Sequence, residues 1–458
     1  MKKILLLSAF FWPVMLSPIA AARKPVLQAG KDNPRMSLEQ AAEAGDVAAQ
    51  SNLGLAYYAG AELPKDAAMA AFWFEKAARK GFSAAQYNLA GLYATGEGVA
   101  QSDKQAAFWY QKAAEQGVDE AQYNLALAYE QGKGVEQNNE QALFWLKKAV
   151  DQNSFKAETH LGLAYRAGVI LPRDNKKAVA LFLKADREAY YAEAQTALGD
   201  AYRLGLGVKM DDQKAVSWYR KAADQGDVKA ETALAVAYAL GMGVPKDYER
   251  GLALFQKAAD QGYAEAQYNL AFAYANGKGV PKDAEKAVYW YQKAADQGDV
   301  DAQFYLGLAY RKGEGIEQNN EKAVFWYKKS AEQGYAKAQL NLGFCYHNGL
   351  GLALDYDRAV FWYRKAAEQG DSKAEYNLAI AYYNAEGEPR DLAQSIDWFQ
   401  RAASHGEVSA QYNLGVFYLK GEGVPKDRNQ AIFWLEKAAA RGNVEAESSL
   451  HNLDHYPI

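Results

Sequence analysis

One phrase recurs along the chain at a fixed interval, and that interval constrains the fold more than any other property. An alanine opens each copy: Ala49, Ala85, Ala121, Ala157, Ala194, Ala230, Ala266, Ala302, Ala338, Ala374, Ala410 and Ala446. The spacing is 36 residues, with a single step of 37. A period of this size, held over eleven full units and a closing half-unit, means stacked helical hairpins. A chain of 458 residues would otherwise suggest about three domains. An array grows by adding layers, so length here counts repeats.

Each unit reads as two helices. In helix A, Ala85, Leu89 and Tyr93 fall at i, i+4 and i+8 and share one face. The tyrosine recurs in all eleven units, from Tyr57 to Tyr418. The residue after each leucine is small, as at Gly54, Ala90, Ala126 and Gly162, which lets the paired helix approach. A Gly-x-Gly-Val turn follows in most units, as at Gly96–Val99 and Gly132–Val135. These are turn glycines and not a phosphate loop, because no strand precedes them and no Gly-Lys-Ser/Thr follows.

Helix B has a sharp start. Asp66, Ser102, Asn138, Asp174, Asp211, Asp247, Asp283, Asn319, Asp355, Asp391 and Asp427 hold one position, and their side chains suit an N-cap. Gln105, Gln141, Gln394 and Gln430 stand three residues on and predict reciprocal capping boxes. Seven residues after the cap comes tryptophan in nine units, replaced by Leu181 and Leu254 in the other two. A ring repeated in nearly every layer is a packing stripe. The helix closes on glycine, with Asn153 once, the other residue that accepts a left-handed cap. In the fourth unit the closing glycine is Ala189, followed by Tyr190, Tyr191 and the extra residue, and the turn reads Gly168-Val169-Ile170.

The ends differ from the array. Residues 1–22 carry Lys2 and Lys3, an apolar run holding Pro13 and Pro18, and a small-x-small site at Ala20 and Ala22. That pattern predicts a cleaved secretory signal peptide and hence a periplasmic or secreted protein with no membrane span after cleavage. Residues 23–45 read as a leader and an N-terminal capping helix beginning at Ser37. Residues 46–189 hold repeats 1–4 and 190–445 hold repeats 5–11, with the slipped register between them. Residues 446–458 read as a C-terminal capping helix and tail. The lone cysteine, Cys345, cannot form an intramolecular disulfide and reads as a small buried residue.

The unit Ala266, Leu270, Tyr274, Gly277, Gly279, Val280, Asp283, Ala287, Trp290, Tyr291, Ala294, Ala295, Gly298 resembles the Sel1-like repeat, a branch of the tetratricopeptide-like solenoids. The resemblance covers about residues 46–453. It implies an all-α fold, a right-handed α/α superhelix of hairpins, and adaptor or scaffold roles. Some secreted members with cysteine-paired repeats are linked to penicillin binding or β-lactam hydrolysis. This chain lacks those cysteine pairs.

A partner surface is expected on helix A. Tyr87 stands about 160° from Leu89 on the helical wheel, which predicts that it faces away from the hairpin core. Tyr123, Tyr268, Phe304, Tyr376 and Tyr412 share its column, and Asn88, Asn124, Asn269, Asn341, Asn377 and Asn413 form the next one. These rings and amides either hold a peptide or glycan, or seal and bond adjacent repeats. Thr159, Thr196 and Thr232 interrupt the aromatic column, leaving two similar stretches near 50–157 and 266–413.

A formal charge of −4, without a long basic tract, disfavours nucleic acid as a partner. The five histidines show no metal-ligand spacing and no nucleophile elbow occurs, so neither a catalytic residue nor a cofactor or metal site is assigned. The leading expectation is an exported non-enzymatic scaffold for protein or peptide partners in the bacterial envelope or with a host. Peptidoglycan or polysaccharide binding, or regulation of a wall enzyme, is the second reading. A hydrolase of wall fragments or β-lactams is the third.

Overall fold

The computed structural model describes residues 34–60, 63–187 and 191–455. The expected signal peptide, the leader up to residue 33, and Ala189 with Tyr190 lie outside the described residues. The described residues form 24 helices and no strand. They divide into two compact units, the first ending at Asp227 and the second beginning at Val228.

Repeats 1–5 make up the first unit and repeats 6–11 the second. A full repeat is one antiparallel hairpin, for example helix A at Ser83–Thr95 and helix B at Asp103–Glu115. The opening alanine of helix A is fully buried in most layers, as are Leu89, Leu125, Leu198, Leu270 and Leu306 to within about a percent. The residue after the tryptophan position is the centre of each layer, an aromatic in nine repeats and Leu146 or Leu435 in the other two. Tyr219, Tyr327, Phe182 and Phe399 are 0–1% exposed, a burial worth about 1.5–3 kcal/mol each. The small residue after the helix A leucine makes room for that ring. A Cβ at Gly307 would stand 2.8 Å from the Tyr327 ring, and one at Gly343 would stand 2.7 Å from Tyr363.

All eleven predicted caps accept a hydrogen bond from a backbone amide two or three residues on. The reciprocal half of the capping box is not formed. The backbone N–H of each cap donates instead to the carbonyl of the helix A tyrosine, as Ser102 does to Tyr93 at 2.9 Å and Asp427 to Tyr418 at 3.0 Å. The donor that Gln105 was expected to take is already used in closing the turn.

The two turn glycines have different tasks. The first is the left-handed C-cap of helix A, as Gly96 at φ 75°. The second lets the turn rest on the preceding repeat. A Cβ at Gly98 would lie 2.2 Å from the Ala67 carbonyl, at the start of helix B one layer earlier. Asn153 adopts φ 64°, as its place required, and Ala385 is forced to φ 61° where other repeats have glycine.

The first helix begins at Pro34, ahead of the expected cap at Ser37, because proline already suits a first helical turn. The last helix, Val444–His455, closes the array and is capped by Asn443. Helix B of the fourth repeat is shortened to Asn175–Ala185 and ends at the buried Asp186.

Candidate functional site

Helix A does not present its aromatic column freely. Tyr87, Tyr123, Tyr268, Tyr376 and Tyr412 are half-buried, and Phe304 is only 7% exposed. The predicted outward orientation is corrected by their contacts. Where the repeat has a central aromatic the ring meets it, as Tyr87 meets Tyr110 at 5.9 Å, Tyr268 meets Tyr291 at 6.1 Å and Tyr376 meets Phe399 at 5.8 Å. Phe304 meets Tyr327 in the same way at 5.9 Å. Tyr87 and the fully buried Ala90 lie three apart and share a face, and that face is where helix B approaches. Burial pushes the Tyr87 hydroxyl up to about 12 and also raises those of Tyr123, Tyr268 and Tyr376, so these four are neutral donors at neutral pH.

The asparagine column obeys a rule across layers. Asn124 bonds the hydroxyl of Tyr87, one repeat back, and Asn413 bonds Tyr376 likewise. Where the earlier layer offers Thr232 or Phe304, the asparagine folds onto its own helix. Asn269 then donates to the Glu265 carbonyl and Asn341 to the Lys337 carbonyl, both at 2.8 Å. Asn88 follows Ser51, is 3% exposed, and leaves both amide atoms unpartnered. Asn377 is half-buried behind Leu340. Tyr412 packs on the last core around Leu435.

In the interrupted stretch, Thr159, Thr196 and Thr232 turn their hydroxyls to carbonyls four residues back and are 0–9% exposed. Next to it, Tyr123 meets His160 edge-on at 6.0 Å, and His160 Nε2 lies 2.8 Å from Glu130. Burial would raise the Glu130 carboxyl, but the His160 hydrogen bond and charge together bring it below the ordinary range.

Carboxylates gather at the starts of helix A. In the first unit, a hydrogen bond with Asp119, and burial, hold the Glu120 carboxyl well above its ordinary range beside Tyr87. In the second, Asp299 and Asp301 adjoin Tyr268.

Two further patterns were not read from the sequence. Seven exposed rings stand one residue before the tryptophan: Phe72, Phe108 and Phe144 in the first unit, and Tyr289, Phe325, Phe361 and Phe433 in the second. Each is edge-on to its tryptophan at 4.9–5.1 Å and is covered by a lysine one turn on, as Lys76 covers Phe72 at 4.4 Å. The signal was an aromatic pair followed by Lys at i+4.

The other pattern is an amide ladder. The residue after the opening alanine is usually a buried glutamine. Gln267 donates to the Ala259 carbonyl of the preceding repeat at 3.1 Å and accepts from Gln297 at 2.8 Å. Gln303 and Gln339 repeat the arrangement with Gln333 and Gln369. In three layers the glutamine is a buried glutamate. Glu158 meets Lys184 at 2.9 Å and Arg187 at 2.7 Å, Glu231 meets Lys257 at 2.6 Å, and Glu375 meets His405 at 2.8 Å. Lys184 and Lys257 occupy the ring-covering position, but their layers carry Ala180-Leu181 and Ala253-Leu254 where seven others carry two rings. With no rings to cover, the lysine turns inward to the carboxylate.

Neutral hydroxyls, amides and carboxylates beside aromatic faces suit hydrogen bonding and cation recognition. Cys345 is 1% exposed and burial pushes its thiol up to about 11, so it is not placed as a nucleophile. The class is therefore a helical-hairpin repeat scaffold.

The Sel1 repeat matches eleven consecutive segments, from 47–82 to 408–443, the fourth being shorter at 156–185. The chain belongs to the Sel1 repeat family, whose scaffolds typically mediate protein–protein interaction. It is similar to c5321, a protective antigen of uropathogenic Escherichia coli strains with an SLR fold, at 38% identity and TM-score 0.68, over 92% of this chain and 90% of that one. It is also similar to a Sel1 repeat protein from Oxalobacter formigenes, at 36% identity and TM-score 0.51, over 68% of this chain and 90% of that one. No curated protein matches the chain.

Proposed function

We propose that the protein is an exported, non-enzymatic scaffold that binds protein partners in the bacterial envelope or at the host interface. The observation that carries this reading is the helix A face of each unit, where half-buried tyrosines held by neighbouring layers stand beside carboxylates that the hairpins do not need. Rigid rings lose little entropy on binding, and the adjacent carboxylates give specificity. The residues 1–22 pattern supports export. The likeness to a protective antigen supports contact with a host, since an antigen must be reached by the host's defences.

The test is crosslinking in the native envelope followed by mass spectrometry, with Tyr87→Ala and Tyr376→Ala as comparison chains. A specific protein captured by the natural chain and lost from either variant supports the scaffold. Recovery in the cytoplasmic fraction with the first residues intact removes export. Pelleting with purified sacculi, in the absence of any captured protein, would move the reading to wall binding.

A further inference from the structure

The second unit carries a cluster that the hairpin rules do not require. Glu265, at the start of helix A in repeat 7, is near enough for its charge to act on Asp299, which with Asp301 stands at the start of helix A in repeat 8. Burial, with Asp301 and Glu265 nearby, pushes the Asp299 carboxyl up to about 6 even though it caps the Ala302 amide at 2.7 Å. The Tyr335 hydroxyl donates to Asp301, and Tyr263 donates to Glu265 at 3.2 Å. None of the three carboxylates forms an ion pair among the described residues. Like charge is concentrated here and left without a cation.

A second observation points into the same place. Tyr291 is 3% exposed, its ring is stacked on Tyr305 at 5.5 Å and 11°, and Tyr268 lies 6.1 Å from it. Its hydroxyl feels the charge of Asp301, yet has no hydrogen-bond partner. The cluster thus holds both an excess of negative charge and an unused donor.

An apolar groove continues from it. Leu240, Leu252, Phe272 and Lys278 are among the residues that line a cavity of about 160 Å³. The Phe272 ring lies 6.3 Å from Tyr268 and 6.2 Å from Tyr305, so the groove and the carboxylates share a wall. Among the described residues no group of three or more His, Cys, Asp or Glu side chains is placed to hold a metal ion.

We propose that this face of the second unit docks a peptide segment of a partner protein in which a lysine or arginine side chain stands next to an apolar one. The cation sits among Asp299, Asp301 and Glu265 against the Tyr268 and Tyr305 rings, where charge and aromatic faces both attract it. The apolar neighbour enters the groove beside Phe272. The inference rests on the scaffold reading and specifies the chemistry of the partner.

The test probes the full chain with an array of short synthetic peptides of varied charge, then titrates the best by fluorescence anisotropy. Asp299→Asn with Asp301→Asn is the test variant, since asparagine keeps the cap. Glu249→Gln with Glu285→Gln, two exposed carboxylates elsewhere in the unit, is the control. Retained peptides should be enriched in Lys or Arg beside Leu, Ile or Phe. The test variant should weaken binding by about tenfold or more and the control by less than about twofold, with unchanged helical circular dichroism in both. Retained peptides with no excess of Lys or Arg, or a test variant within about twofold of the natural chain, overturn the proposal. Crosslinking with the same variants separates the two readings. A partner captured equally by the natural chain and the test variant keeps the scaffold and removes the basic segment. No captured partner with either chain removes the scaffold reading, and the array then decides the peptide chemistry alone.

Discussion

The inward lysine of repeat 6 offers a quantitative check on how the layers are held. Glu231 is fully buried, and its Oε1 is 2.6 Å from Lys257 Nζ, an ion contact off the direction of a hydrogen bond. Gln261 donates to the other carboxylate oxygen at 3.1 Å. Lys257→Met would leave a buried carboxylate with one neutral donor. Removing one member of a buried pair costs about 3–5 kcal/mol. The Lys257 side chain is 58% exposed, so water can replace part of what is lost, and about 2–3 kcal/mol is the working value. The same substitution at Lys293 removes only a contact 5.7 Å from an exposed Tyr289 ring, worth about 0.5 kcal/mol or less. Repeat arrays open locally, so the readout should be amide exchange in Val228–Leu240 and Tyr248–Asp260. Exchange there should quicken about thirtyfold or more in Lys257→Met, and about twofold in the corresponding helices of Lys293→Met. Adding Glu231→Gln to Lys257→Met should restore most of the protection, because a glutamine is what most of the other layers place there. Equal effects at the two lysines, or no rescue by Glu231→Gln, would refute the reasoning.

Three further outcomes follow from particular residues. Ala385 holds φ 61° where neighbouring repeats have Gly349 and Gly421, so Ala385→Gly should slow local opening of repeat 10 by about 1 kcal/mol; unchanged exchange there would contradict the strain. Because the folded Asp299 carboxyl is raised to about 6, it favours the folded state as pH falls from above 6 to near its unfolded value of about 4. The difference in stability between the natural chain and Asp299→Asn should therefore shift toward the natural chain by on the order of 1–2 kcal/mol over that window, and an Asp299 midpoint below about 4.5 by NMR would end the argument. Cys345, 1% exposed with its thiol pushed up to about 11, should label with a thiol reagent about a thousandfold more slowly in the native protein than in denaturant; complete native labelling within minutes would show that its layer is open.

What could be read in the sequence was whatever is decided inside one hairpin. The cap residues from Asp66 to Asp427, the left-handed Asn153 and the small residue before each central ring all follow from local geometry, and the structure shows them in those roles. The helical wheel misjudged Tyr87 because it places a residue relative to its own helix alone. Which side helix B covers is set by the hole at Ala90, and whether Asn124 is free is set by a tyrosine 37 residues earlier. The amide ladder was hidden for the same reason. Its bonds join positions 30 apart and 8 apart, a pairing that no 3.6-residue periodicity displays. The Glu265, Asp299 and Asp301 cluster needed the register between repeats 7 and 8 before it could be seen as one group.

The ladder also bears on how such an array can change in length. Gln86, Gln122, Gln267, Gln303 and Gln339 each give one bond to the repeat before and take one from the far end of their own repeat, as Gln267 does with Ala259 and Gln297. If residues 264–299 were excised as a block, Gln303 would meet the Ala259 carbonyl that Gln267 had held, and no buried amide would lose its partner. Duplicating the block would be equally silent. A glutamate layer has this freedom only as a whole hairpin, because its cation must travel with it: Glu158 with Lys184 and Arg187, Glu375 with His405. In each case those groups lie within one repeat, so the unit of inheritance is the whole hairpin, and a recombination joint inside it would strand a buried charge.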